Sequence, residues 1–151
     1  GRRDPQVLLG NRALIEAGQA GVQIDLIVRG ACVLPPGVDG LTDRIRVRSV
    51  VGRMLEHTRV IYFRWGEHEH DEALYLSSAD WMNRNMTRRI ELAWPVRDVA
   101  LRQRVIDECL IPYLMDGRDA WTQDSEGFYS RVGTEGHSAQ QALMARYRAP
   151  L

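Results

Sequence analysis

Apolar positions along the chain switch between the two spacings that secondary structure imposes. From Pro5 onward Val7, Asn11, Leu14 and Gly18 fall on one helical face, with Leu8 and Ile15 beside them. Asp4-Pro5 supplies an N-cap and a first helical residue, and Gly21 a stop, so a helix is predicted to open the chain. Residues 22 to 28 then alternate and become β-rich, which predicts a strand running into Arg29-Gly30. Helix, glycine turn and strand make an α/β unit.

Residues 31 to 43 carry Pro35-Pro36-Gly37 and Asp39-Gly40, the chemistry of a loop, and this loop follows the carboxyl end of a strand, where open α/β sheets place ligands. Arg44, Arg46 and Arg48 next alternate with Ile45 and Val47, which predicts a strand with its guanidinium groups on one face. That face reads equally well as an anion-binding surface or as a solvated edge. Arg59–Arg64 and Ala73–Ser78 are two strands joined by a charged hairpin, and residues 90 to 94 a further short strand. Asp98 is placed to cap a helix through about residue 116, burying Leu101, Val105, Ile106, Cys109 and Leu110 and bending at Pro112. Residues 118 to 132 read as extended, and Gly133 to Gly136 as a linker. Ser138-x-x-Gln141 is a capping-box pattern opening a tail helix that presents Leu143, Met144 and Tyr147 on one face.

Length and apolar content, 151 residues and 44%, suit a single core, and the absence of an ~18-residue apolar run or a signal-peptide pattern leads to a cytoplasmic expectation. Cys32 and Cys109 are far apart and in no metal-ligand spacing, so both read as small core residues of a reducing compartment. All 20 basic residues are Arg, balanced by 20 acidic ones. The balance is uneven: residues 29 to 64 hold Arg29, Arg44, Arg46, Arg48, Arg53, Arg59 and Arg64 against Asp39, Asp43 and Glu56. Since Arg binds phosphate bidentately, a local anion site is compatible with overall neutrality. The Glu67-His68-Glu69-His70 run reads as a solvated turn, and no residue is assigned to a metal.

Two stretches concentrate the chemistry. Leu55-Glu56-His57-Thr58-Arg59 offers an imidazole and, two residues on, a guanidinium, while Ser77-Ser78-Ala79-Asp80 ends a strand in small polar groups. An imidazole can attack phosphorus or protonate a leaving oxygen, and Arg and hydroxyl groups hold phosphate oxygens. His-x-Arg followed by such a strand end resembles the phospholipase D superfamily, in which two half-sites face each other. The chain has Arg59 where that half-motif usually has Lys, and lacks an obvious Asp at its later position.

A closer resemblance spans roughly residues 13 to 132. The run from Ala20 to Gly30, Pro36-Gly37, Ile45-Arg46-Val47-Arg48-Ser49, Leu55-Glu56-His57 and Ser78-Ala79-Asp80-Trp81-Met82-x-Arg84-Asn85 is similar to the C-terminal domain of bacterial polyphosphate kinase. Ser138-Ala139-Gln140 to Ala142-Leu143-Met144 is similar to the family's C-termini. The resemblance implies an α/β fold, bordering on α+β, of phospholipase D-like type with a mixed β-sheet flanked by helices. It also implies a catalytic domain over residues 1–132, with a linker and tail helix over 133–151.

The activity implied is reversible transfer of the terminal phosphate of ATP to inorganic polyphosphate, with Mg2+ accompanying ATP. The phosphorylated histidine would lie on a preceding domain, so this chain alone is expected to be inactive. Arg29 and His57 match ATP-contacting residues of the family, His57 being its second essential histidine. Arg44, Arg46, Arg48, Arg59, Arg84 and Arg88 are candidates for phosphate or polyphosphate contacts, and Ser78, Asp80 and Asn85 for shaping the site. The expected partners are ATP and ADP, polyphosphate, the preceding domains and further copies in the full-length form, with no nucleic acid and no transmembrane segment. Peripheral attachment at the inner membrane face is a second option for location. Two other readings stand beside this one: a phospholipase D-like phosphodiesterase or nuclease built as a homodimer of half-sites, and a non-catalytic nucleotide- or polyphosphate-binding module.

Overall fold

The computed structural model describes residues 5–68, 70–80 and 90–148, the side chains from residue 11. They fall into two compact units: Gly10–Glu56 with Leu110–Leu151, called here the Arg29 unit, and Gly1–Leu9 with His57–Cys109, the His57 unit.

Helix α1 (Pro5–Gln19), which belongs to the Arg29 unit from Gly10 on, leads to strand β1 (Ile24–Val28) of that unit. The strand starts two residues later than its pattern predicts, since Val22 is exposed and the Gln23 side-chain amide donates to the Arg44 carbonyl. Gly21 takes the positive φ that ends the helix, as expected. β1 pairs in parallel with β2 (Ile45–Val50), which pairs antiparallel with β6 (Ala120–Gln123), and β6 with β7 (Tyr129–Arg131). The sheet is therefore mixed, in the order β1-β2-β6-β7. Ile45 and Val47 point into a core with Leu34, and Leu14, Ile15, Ile24, Leu26 and Cys32 pack against it. The alternation read in the sequence is thus correct, with Arg46 and Arg48 on the other face. Both cysteines are half-buried and neither is in a disulfide.

The β1–β2 crossover is a loop, as its turn residues require, and Thr42 is its keystone. The Thr42 hydroxyl donates to the Pro35 carbonyl and accepts from the Val38 N–H, at 2.9 and 2.8 Å, and the residue is 1% exposed. A second cluster joins Val50, Tyr113, Ala120 and Ala139, with Ile27 and Leu143 against it. This cluster seats the tail helix α4 (Ala139–Tyr147). The docking face is Ala139, Gln140 and Leu143, and Tyr147 is exposed against expectation. Only half the capping box forms: the Ser138 hydroxyl accepts from the Gln141 N–H, while the Gln141 side chain accepts from Arg118.

The His57 unit holds an antiparallel sheet of β3 (Val60–Arg64), β4 (Glu72–Ser77) and β5 (Ala93–Pro95), in that order. The predicted hairpin forms with Val60 opposite Leu76, and the last strand lies later than residues 90 to 94. Helix α2 (Val99–Val105) is capped by Asp98 as expected. A π turn (Ile106–Leu110) follows, and the short helix α3 (Ile111–Leu114) after it belongs to the Arg29 unit. The widened turn comes directly before Pro112, whose ring and missing N–H disfavour regular α spacing there.

The first turn of α2 reverses the predicted face: Leu101 is 54% exposed and Arg102 is buried. The cause is Glu72, whose carboxylate takes the Arg102 guanidinium at 2.6 Å and the Tyr62 hydroxyl, also at 2.6 Å. A buried ion pair with its hydrogen bonds satisfied outweighs the apolar periodicity. Replacing Arg102 with leucine strands the carboxylate and should cost about 3 kcal/mol in a denaturant titration. A loss below about 0.5 kcal/mol would show that the pair is solvated.

The Tyr62 hydrogen bond, followed by Arg102, holds the Glu72 carboxyl below its ordinary value, while burial and the same hydrogen bond push the Tyr62 hydroxyl up. Glu72 is thus more acidic folded than unfolded, so its stabilisation is complete above the usual carboxylate range, about 4.3, and is lost as pH falls through the depressed folded value. Glu72→Gln should flatten the acid limb of a stability-versus-pH curve; an unchanged limb would remove Glu72 from the acid response.

Candidate active site

Arg29 follows the last residue of β1, and Gly30 after it adopts φ +150°, a turn open to glycine, with its N–H on the Ser49 hydroxyl at 3.0 Å. The Arg29 guanidinium is exposed and donates one hydrogen bond to the backbone carbonyl of Glu56. Its other donors have no partner among the described residues. A planar cation fixed at one corner and open at the others, at the carboxyl end of a parallel strand, suits a phosphate group.

The Glu56 side chain is itself held. Its Oε1 accepts from the Tyr113 hydroxyl at 2.6 Å and from the Gln140 amide at 2.8 Å. Gln140 also brackets Met54, accepting from its N–H at 2.8 Å and donating to its carbonyl at 2.7 Å. Gly52 lets that amide in close, since a Cβ there would stand 2.4 Å from the Gln140 Oε1. These supporting residues escaped the sequence reading; the only sign of them was that Glu56 and Gln140 fall inside segments already singled out.

In the His57 unit the imidazole of His57 is exposed and has no hydrogen-bond partner among the described residues. Its backbone is fixed: Arg59 donates to the His57 carbonyl at 2.9 Å and pairs through Nε with Asp80 at 2.8 Å. That hydrogen bond to Asp80 raises the Arg59 pKa further above its ordinary value. Arg59 and Asp80 therefore meet, as two of the expected site residues, with both side chains little more than a quarter exposed. The Ser78 hydroxyl donates to Glu91 and accepts from the Leu92 N–H, tying the end of β4 to the chain before β5. Arg84, Asn85 and Arg88 lie outside the described residues.

The three alternating arginines differ in circumstance. Arg46 pairs with Asp25 at 2.7 Å, which raises its pKa, and Arg48 donates to the Asp116 carbonyl. Arg44 is exposed beside a cavity of about 400 Å³ lined by Gly18, Gln19, Gly40, Leu41 and Asp43. Because Ile24 is level with Ile45 and Val28 with Ser49, Arg44 lies at the opposite end of the parallel pair from Arg29, about 20 Å away along the strands. The structure does not bring these two together. No group of three or more His, Cys, Asp or Glu side chains among the described residues could hold a metal ion.

Each unit thus carries an exposed side chain suited to a phosphate group, Arg29 in one and His57 in the other. The family model described as polyphosphate kinase C-terminal domain 2 matches residues 6–143, and the chain belongs to this family. Polyphosphate kinase of Burkholderia multivorans is 52% identical over 137 residues, 89% of this chain and 20% of the relative. That of Paraburkholderia phytofirmans is 51% identical over 136 residues, 89% of this chain and 19% of the relative. The crystal structure of polyphosphate kinase from Porphyromonas gingivalis superposes with a TM-score of 0.79 at 38% identity, covering 91% of this chain and 21% of that one. The α/β, phospholipase D-like fold is the one the sequence resemblance implied. The chain spans about a fifth of the length of these curated relatives.

Proposed function

We propose that this chain contributes one wall of the active site of a polyphosphate kinase, which moves the terminal phosphate of ATP reversibly onto polyphosphate through a phosphohistidine carried on another domain. The observation that carries the reading is Arg29, exposed at the carboxyl end of β1 and anchored at one corner to the Glu56 carbonyl. Arg29 neutralises charge gathering on the transferred group, whose loose transition state spreads charge over its oxygens. His57 hydrogen-bonds to the phosphate end of the nucleotide or passes a proton to the departing oxygen. Arg59, tied to Asp80 and to the His57 carbonyl, holds that segment and adds positive potential.

Arg44, Arg46, Arg48, Arg84 and Arg88 remain candidates for a polyphosphate track, Arg46 and Arg48 only by exchanging their present partners. Ser78, Asp80 and Asn85 are assigned to shaping the site. Magnesium is proposed as part of the ATP complex, where phosphates supply most of its ligands. No helix of the described residues is long and apolar enough to cross a membrane, and a cytoplasmic location, with self-association in the full-length form, completes the proposal. Residues 1–132 are assigned the chemistry and 133–151 a supporting part.

Terminally labelled ATP tests this reading. The full-length protein containing this chain should convert the label into polyphosphate, and the 151-residue chain alone should not. Failure of the full-length protein to make polyphosphate overturns the kinase reading, and synthesis by the chain alone overturns the shared site.

A further inference from the structure

We propose that Gln140, on the tail helix, is a positioning residue for Arg29, acting through Met54 and Glu56. The inference rests on the reading of Arg29 as an ATP-binding residue and adds to it a reason for the tail.

The chain of dependence lies wholly within the Arg29 unit. Arg29 is oriented by a single backbone carbonyl, that of Glu56. Glu56 belongs to a segment of no regular secondary structure, in which Met54 and Leu55 are exposed, so the local sequence does not fix where that carbonyl points. Gln140 does. Its amide oxygen takes the Met54 N–H and its amide nitrogen gives to the Met54 carbonyl, so one side chain satisfies both backbone groups of one residue, as a neighbouring strand would. The same nitrogen reaches Glu56 Oε1, where the Tyr113 hydroxyl arrives as well. Gln140 is 5% exposed and makes these bonds to residues more than 80 positions earlier.

Docking of the tail does not need this amide. Ala139 and Leu143 pack on Val50, Tyr113 and Ala120, the Ser138 hydroxyl donates to Asp119 at 2.6 Å, and the Ala139 N–H donates to Asp116 at 2.8 Å. Removal of the Gln140 amide should therefore leave the helix in place and release the Met54–Glu56 segment, and with it the anchor of Arg29. A guanidinium that must find its geometry on binding loses affinity for its anion without losing its charge.

Gln140→Leu in the full-length protein should lower kcat/KM for ATP about three- to tenfold, the size of one or two lost hydrogen bonds. Arg29→Ala should lower the same ratio much further, and in that background Gln140→Leu should add nothing, because a positioning residue has no effect once its target is gone. Glu56→Gln, whose amide oxygen can accept both hydrogen bonds, should keep the wild-type kcat/KM, whereas Glu56→Leu should reproduce Gln140→Leu. If Gln140→Leu does not fold, judged by its melting transition, Tyr113→Phe removes one hydroxyl and should still lower kcat/KM about two- to threefold. A wild-type kcat/KM in the folded Gln140→Leu or Tyr113→Phe protein, or full additivity with Arg29→Ala, overturns the positioning role while leaving Arg29 as the ATP residue. An unchanged kcat/KM in Arg29→Ala overturns the reading of Arg29 and this proposal with it.

Discussion

Alanine in place of His57 in the full-length protein should abolish polyphosphate synthesis, a fall in kcat of about 10² to 10⁴, the usual worth of a positioned proton-transfer group. The melting temperature should not move. The imidazole is exposed and takes no part in any hydrogen bond among the described residues, while the His57 backbone is held by Arg59, so the fold does not use the ring. Substitution by glutamine separates the two roles open to it. Glutamine can donate a hydrogen bond to a phosphate oxygen but cannot carry a proton between pH 5 and 8, as histidine can. Partial recovery with His57→Gln indicates a hydrogen-bonding role, and none indicates proton transfer. Activity of His57→Ala within twofold of wild type, read from labelled phosphate incorporated into polyphosphate, would place the histidine outside the site.

The second large effect is expected at Arg29. Arg29→Ala should lower kcat/KM for ATP about 10²- to 10³-fold, comparable with loss of a donor that meets developing charge in a transition state. Arg29→Lys should recover little of it. Lysine keeps the charge but lacks the planar fork that can hold the Glu56 carbonyl with one N–H and a phosphate oxygen with another. Steady-state kinetics over a range of ATP concentration decide the matter, and full recovery by lysine would mean that Arg29 acts only as a point charge. Both substitutions should be silent in unfolding experiments, in contrast to Arg102→Leu, whose guanidinium belongs to the core of the His57 unit.

The sequence was most informative where one local rule acts alone. Alternation placed Ile45 and Val47 inward and Arg46 and Arg48 outward, and Asp98 capped its helix through the Leu101 N–H. It failed where a distant partner decides. Leu101 and Arg102 exchanged places because Glu72, thirty positions earlier, offers a carboxylate to the buried side of the helix turn. Tyr147 stayed outside because the tail docks through Ala139, Gln140 and Leu143, a face chosen by the shape of the Val50–Tyr113–Ala120 cluster.

The same division runs through the candidate site. His57 was legible as chemistry because an imidazole beside an arginine is recognisable without its surroundings, whereas Arg29 was singled out only by the family resemblance. Glu56, Tyr113 and Gln140 were not legible. Each is an ordinary polar residue whose part depends on hydrogen bonds across more than 50 positions of chain, and nothing local marks such a bond. Among the arginines, the even spacing of Arg44, Arg46 and Arg48 concealed that two of them have protein partners and the third faces the other end of the sheet.

That this chain forms one wall of a phosphoryl-transfer site whose nucleophile lies elsewhere is tested most directly by trapping the phosphoenzyme. The full-length protein is incubated briefly with terminally labelled ATP, quenched in base and digested, and the labelled peptide is sequenced. The account predicts an acid-labile, base-stable phosphohistidine on a peptide outside these 151 residues, formed with wild-type Arg29 and reduced with Arg29→Ala. Label on His57, or on any other residue of this chain, would contradict it, as would polyphosphate synthesis with no phosphohistidine at all.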